Sequence, residues 1–123
     1  MIIGYYPNWD SGIVSAYFDR LRRDGQRKKA EARLRGDILT LLATWPRPIG
    51  VEIRLMRGYE PLWELKREVQ GVAYRVFFCV KGDEIWLVDL IEKKRDKTPS
   101  RTLNAAYARM RGVMTGKVRR PLL

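Results

Sequence analysis

The chain has no histidine and one cysteine in 123 residues. With one Cys and no His, only carboxylates remain as metal ligands, so no zinc-type spacing exists and neither metal nor cofactor is expected. A lone cysteine excludes an intramolecular disulfide and suits a reducing compartment. That residue, Cys79, lies within the apolar run VFFCV and reads as a small buried hydrophobe. Long apolar stretches are also missing. None approaches the ~20 residues that a membrane-spanning helix needs, and MIIGYYPNWD has neither the charged start nor the apolar centre of a signal peptide. A cytoplasmic protein without a membrane partner is the expectation. Acidic residues are scarce at one end, with 1 against 10 basic residues in 93–123.

What is present follows from that imbalance. The chain carries 25 Lys+Arg against 14 Asp+Glu, a net charge of +11. By segment the balance is +3 for residues 1–44, −1 for 45–92 and +9 for 93–123. A surplus this large on a small body favours nucleic acid, ribosomes, anionic membrane or an acidic protein. The hydrophobic fraction of 46% is ordinary for a folded protein, and the length suits a single domain over 1–123. Residues 112–123 read as a mobile basic tail.

Residues 1–6 (MIIGYY) are β-branched and aromatic and stop at Pro7, which predicts an edge strand. Ile13, Val14, Tyr17, Phe18 and Leu21 recur on one helical face, with Asp10 and Ser11 available as caps. After Asp24-Gly25, Ala30, Leu34, Ile38, Leu41 and Leu42 line a second helix, from about Gln26 to Ala43. Its cations Arg27, Lys28, Lys29, Arg33 and Arg35 are mostly off the apolar side, as a solvated face or as an RNA or ribosome contact. The short link makes the two an αα-hairpin. Residues 45–61, rich in Pro and Gly, read as an irregular connector with VEIRLM as a short extended piece.

Three strands then follow. Trp63, Leu65 and Val69 alternate with Glu64, Lys66 and Glu68, the period of a half-buried strand, and Arg67 interrupts the apolar side. Gln70-Gly71 turns into VAYRVFFCV, where Arg75 is the one charge. Lys81-Gly82-Asp83 turns again into EIWLVDLI, where Asp89 is the one charge after the opening Glu84. Thr98-Pro99 opens a last helix, Thr as cap and Pro at the first helical position. Its apolar face holds Leu103, Ala106, Tyr107, Met110 and Met114, and Gly112 or Gly116 ends it. The sum is an α+β fold, an antiparallel meander with its helices on one face.

With these residues in view, the chain resembles the RelE/HigB superfamily of toxin–antitoxin toxins, closest to the phage-derived Gp49-like branch. The likeness rests on LWELK (Leu62–Lys66), YRVFF (Tyr74–Phe78), IWLVDLIEKK (Ile85–Lys94) and KTP (Lys97–Pro99), in that order. It covers most of residues 10–112. The resemblance implies a RelE-like fold, with an N-terminal αα-hairpin packed on a small, mostly antiparallel sheet and a C-terminal helix. It also implies a metal-free endoribonuclease that cuts mRNA in the ribosomal A site and arrests translation. The partners it implies are mRNA, the ribosome and a cognate antitoxin, typically a helix-turn-helix protein. Carried over by position, Arg75 matches the arginine of the YR strand, Lys66 a position usually held by arginine, and Lys93 and Lys94 the KK pair. Asp89 stands where many relatives have histidine.

Metal-free RNA cleavage can use the substrate's 2′-hydroxyl as nucleophile. It needs a proton acceptor, a charge that offsets the phosphorane and a proton donor for the 5′-oxygen. Arg75 suits the middle task, because a guanidinium matches phosphate oxygens and stays charged. Lys66, Lys93 and Lys94 are the other catalytic candidates, with Glu64 or Asp89 as possible base. Lys93 and Lys94 are consecutive and face opposite ways if the strand continues, so one of the two belongs to the site. Arg67, Arg95, Lys97 and Arg101 are candidate RNA contacts. The same residues also permit plainer roles. Arg75 can pair with Glu64 or Asp89 across strands, the lysine pair can be a solvated strand end, and Trp63 and Trp86 can be core or a stacking platform. A non-catalytic RNA- or ribosome-binding protein, or an inhibitor of an acidic host protein, is the alternative function.

Overall fold

The computed structural model of the chain describes residues 1–93 and 98–119. Its elements are β1 (Ile2–Tyr5), α1 (Ile13–Arg23), α2 (Lys28–Thr44), β2 (Glu52–Leu55), β3 (Trp63–Val69), β4 (Val72–Lys81), β5 (Glu84–Lys93) and α3 (Ser100–Met114). They build a five-stranded sheet in the order β1-β5-β4-β3-β2. β1 runs parallel to β5, and every other pairing is antiparallel.

The meander forms where the turn residues demand it. Gln70 and Gly71 have φ of 53° and 81°, the left-handed pair that a two-residue hairpin loop needs to match strand twist. β1 reaches the far side of β5 because Gly4 has no Cβ. A side chain there would meet the Trp86 ring at 2.5 Å.

Both faces of the sheet are covered. On one, Val14, Phe18 and Leu21 of α1 and Ala30, Leu34, Ile38 and Leu41 of α2 pack on Leu65, Val76, Phe78, Ile85 and Leu87. On the other, Ala106, Met110 and Val113 of α3 pack on Phe77, Cys79, Trp86 and Val88, with Leu62 and Met56 at the margin. This corrects the expectation of helices on one face. β4 is an unbroken apolar run because both of its sides are buried, as in sheets sandwiched between helices.

VEIRLM, read as a short extended piece, supplies β2, an edge strand of the sheet. Three smaller expectations are revised. The cap of α1 is Gly12, whose N–H donates to Ser15 Oγ at 2.8 Å, in place of Asp10 or Ser11. Pro99 is the N-cap of α3 without a side-chain cap, and the Thr98 hydroxyl points elsewhere. The basic tail is structured as far as Arg119. α3 extends to Met114, and Arg119 exchanges backbone hydrogen bonds with Pro7 and Trp9, at 3.0 and 2.9 Å. Residues 120–123 lie outside the described residues.

Candidate RNA-binding site

α3 covers only part of its sheet face. It sits over Phe77, Cys79, Trp86 and Val88 and leaves open the end where β3, β4 and β2 carry polar side chains. Register fixes which ones. Lys66 is opposite Arg75, Glu64 opposite Phe77, and Glu52 and Arg54 are opposite Lys66 and Glu64. Directly paired residues share a face, so all of these project to the α3 side. Glu52, Ile53, Arg54, Glu64, Lys66 and Arg75 line an open recess of about 330 Å³, at the small end of ligand-site volumes.

Arg75 and Glu64 anchor the recess at 2% and 3% exposure. Arg75 Nη1 donates to both Glu64 oxygens at 3.1 Å. Arg54 Nη2 reaches Glu64 Oε1 at 3.4 Å, and the Thr98 hydroxyl reaches Oε2 at a long 3.5 Å. The two neighbouring strands and the segment before α3 thus converge on one buried carboxylate of β3. A buried ion pair persists only when its remaining lone pairs are met in this way. Glu64 is therefore a fixed partner of Arg75. Lys66 lies half-buried beside them.

Strand parity assigns Lys93. Ala73 faces Lys93 and Arg75 faces Ile91, so Lys93 is a diagonal neighbour of Arg75 on the same side, just beyond the residues lining the recess. Its neighbour Glu92 is on the other side, opposite Tyr74. There it accepts a 2.5 Å hydrogen bond from the Tyr17 hydroxyl and pairs with Arg27. Burial, then the bond to Glu92, raises the Tyr17 pKa well above its usual value.

Two candidates are held elsewhere. Arg67 faces α2, not the recess. It donates to Asp37 from Nε at 2.7 Å and also from Nη2, and that contact raises its pKa. Asp89 pairs with Arg109 of α3 at 3.0 Å and accepts from its neighbour's Leu90 N–H. It ties α3 to β5. Arg101 is exposed on the first turn of α3. Lys94, Arg95 and Lys97 lie outside the described residues. Trp86 is core, 1% exposed; Trp63 packs edge-on to Trp45 and stacks with Phe78. Among the described residues, no three His, Cys, Asp or Glu side chains converge as a metal site, and no helix is long and apolar enough to cross a membrane.

Sequence reasoning assigned no site role to Glu52 or Arg54 and read Thr98 only as a helix cap. Arg54 and Glu52 had one available signal, the alternation within VEIRLM, which puts both on one side of a strand. Thr98 had none, since its approach to Glu64 spans 34 residues.

The arrangement, three cations and two carboxylates at the uncovered end of a sandwiched sheet, defines a small α+β protein with a compact recess of charged side chains. Residues 28–111 match the family described as phage-derived protein Gp49-like. The chain belongs to that family, a branch of the RelE/HigB-like toxin group. At the family level this makes it a toxin of the toxin–antitoxin kind, which implies a cognate antitoxin. Neither a curated protein nor a solved structure gives a significant match.

Proposed function

We propose that the protein is a ribosome-dependent endoribonuclease that cleaves translated mRNA without a metal ion and thereby arrests translation. The observation that carries this reading is the recess itself. Arg75 is fixed by Glu64, with Lys66 directly opposite it and Lys93 diagonal to it, on the α3 side of the sheet at the end that α3 leaves open.

In this reading the scissile phosphate enters the recess, and its non-bridging oxygens are met by Arg75 and Lys66. The RNA 2′-oxygen attacks phosphorus and the P–O5′ bond breaks, leaving a 2′,3′-cyclic phosphate and a 5′-hydroxyl. Charge accumulates on the phosphorane, where preorganised donors lower the barrier most. Glu64 acts as a positioning residue, because its oxygens already accept from Arg75, Arg54 and Thr98. Lys66 and Lys93 are the groups assigned to proton transfer. Asp89 is excluded from that task by its bond to Arg109.

The test is incubation of the protein with programmed ribosomes, or with the same mRNA alone, in the magnesium buffer that the ribosome itself needs, followed by analysis of the message ends. Cyclic-phosphate ends on ribosome-bound message only are expected. Intact message from folded protein would favour the binding-only alternative.

A further inference from the structure

The recess leaves unexplained a second concentration of positive charge, on the opposite side of the sheet. All eight cations of residues 1–44 fall in residues 20–35, the end of α1, the turn and the first half of α2. Some serve the fold. Arg22 and Arg35 hold the buried Glu31 at 3.1 and 3.4 Å, and Arg27 holds Glu92. Arg23, Lys28, Lys29 and Arg33 are exposed and make no ion pair among the described residues. Lys28 and Lys29 also occupy the first turn of α2, where the helix dipole disfavours cations by about 0.3–1 kcal/mol each. The fold gains nothing from them there.

We infer that the tip of the α1–α2 hairpin, through Arg23, Lys28, Lys29 and Arg33, is a docking surface for the phosphate backbone of ribosomal RNA. This rests on the proposed ribosomal site of action. The patch is cationic without an apolar centre: none of the exposed large apolar side chains, Met1, Ile2, Trp9, Leu39, Ile49 and Leu55, falls within 20–35. Protein partners are normally anchored by buried aromatic or aliphatic residues. Phosphate backbones need only positioned cations. The patch also joins the recess at one point. Arg27 grips Glu92 on the hairpin side, and the next residue, Lys93, faces the recess side. A message seated in the recess therefore leaves the hairpin tip pointing to the opposite side, towards whatever RNA encloses it.

The test uses full-length protein with Arg23, Lys28, Lys29 and Arg33 all changed to Gln, leaving Arg27 intact. Binding is measured to vacant ribosomes and to an unstructured RNA oligonucleotide, over a range of salt. Ribosome affinity is expected to fall at least tenfold, with a shallower salt dependence, while oligonucleotide affinity and the thermal midpoint hold. Unchanged ribosome binding overturns the inference. So does an equal loss on the oligonucleotide, which would assign the patch to the message. Because the readout is binding, an intact patch on a protein that proves unable to cleave still supports it, so its failure and that of the proposed activity are separable.

Discussion

Lys66 and Arg67 are adjacent cations on one strand, yet the sheet gives them opposite fates. Lys66 faces the α3 side, half-buried in the recess beside the Arg75–Glu64 pair. Arg67 faces α2 and is spent on Asp37. The same division holds two strands over, on β5, where Glu92 is locked by Tyr17 and Arg27 and Lys93 is turned to the recess side. On the hairpin side each charge of the strands has a dedicated opposite partner and serves cohesion. On the recess side three cations share two carboxylates. Charge alone does not mark a site here. The face and the partner do.

The comparison can be broken at its most buried point first. Glu64→Ala removes the carboxylate from a guanidinium that is 2% exposed, and a loss of about 3–5 kcal/mol is expected. Urea denaturation measures it, and a loss below about 1 kcal/mol would show that Glu64 does not anchor the recess. On the other face, Arg67→Ala strands the buried Asp37 and is expected to cost about 1.5–3 kcal/mol. Its RNA affinity and cleavage, corrected for the folded fraction, should equal wild type. Lys66→Ala should do the reverse, with an unchanged urea midpoint and about a tenfold fall in RNA affinity or cleavage, the size of one charge-assisted hydrogen bond. If Arg67→Ala lost activity and Lys66→Ala did not, the assignment of faces to roles would be inverted.

The smallest effect is alkaline. Burial pushes the Cys79 thiol from 9.0 up to about 12, and Tyr17 also has a raised pKa. Both groups stay neutral in the fold while the unfolded chain ionises. Their contribution is therefore complete below about pH 9 and lost progressively as pH rises towards 12. The urea midpoint should decline over that range, less steeply in Cys79→Ala. Iodoacetamide should label Cys79 only once the protein unfolds.

Much of the fold was legible because its signals are local. The two αα-hairpin stripes, the period-2 run in β3, the Gln70-Gly71 turn and the edge strand before Pro7 each declare themselves within a few residues. The placement of α3 on the far face was misread, although the unbroken VAYRVFFCV carried the signal that both sides of β4 are covered. The recess was partly legible. Lys66 and Arg75 emerged from parity and resemblance, and parity allowed one of Lys93 and Lys94; the register turns Lys93 to the recess side, and Lys94 lies outside the described residues. Arg67, Asp89 and Thr98 could not be placed, since Asp37, Arg109 and Glu64 lie 30, 20 and 34 positions away in the chain. Pattern within one strand gives a side chain's direction, but not what waits there.

The most direct measurement is the rate of mRNA cleavage on programmed ribosomes by Arg75→Lys, Arg75→Ala and Arg67→Ala, each verified as folded. The account predicts a fall of at least about 10²-fold for Arg75→Ala, the scale of losing one transition-state donor. Partial retention is expected in Arg75→Lys and wild-type rates in Arg67→Ala. Full activity in folded Arg75→Ala would contradict it and move the chemistry out of the recess.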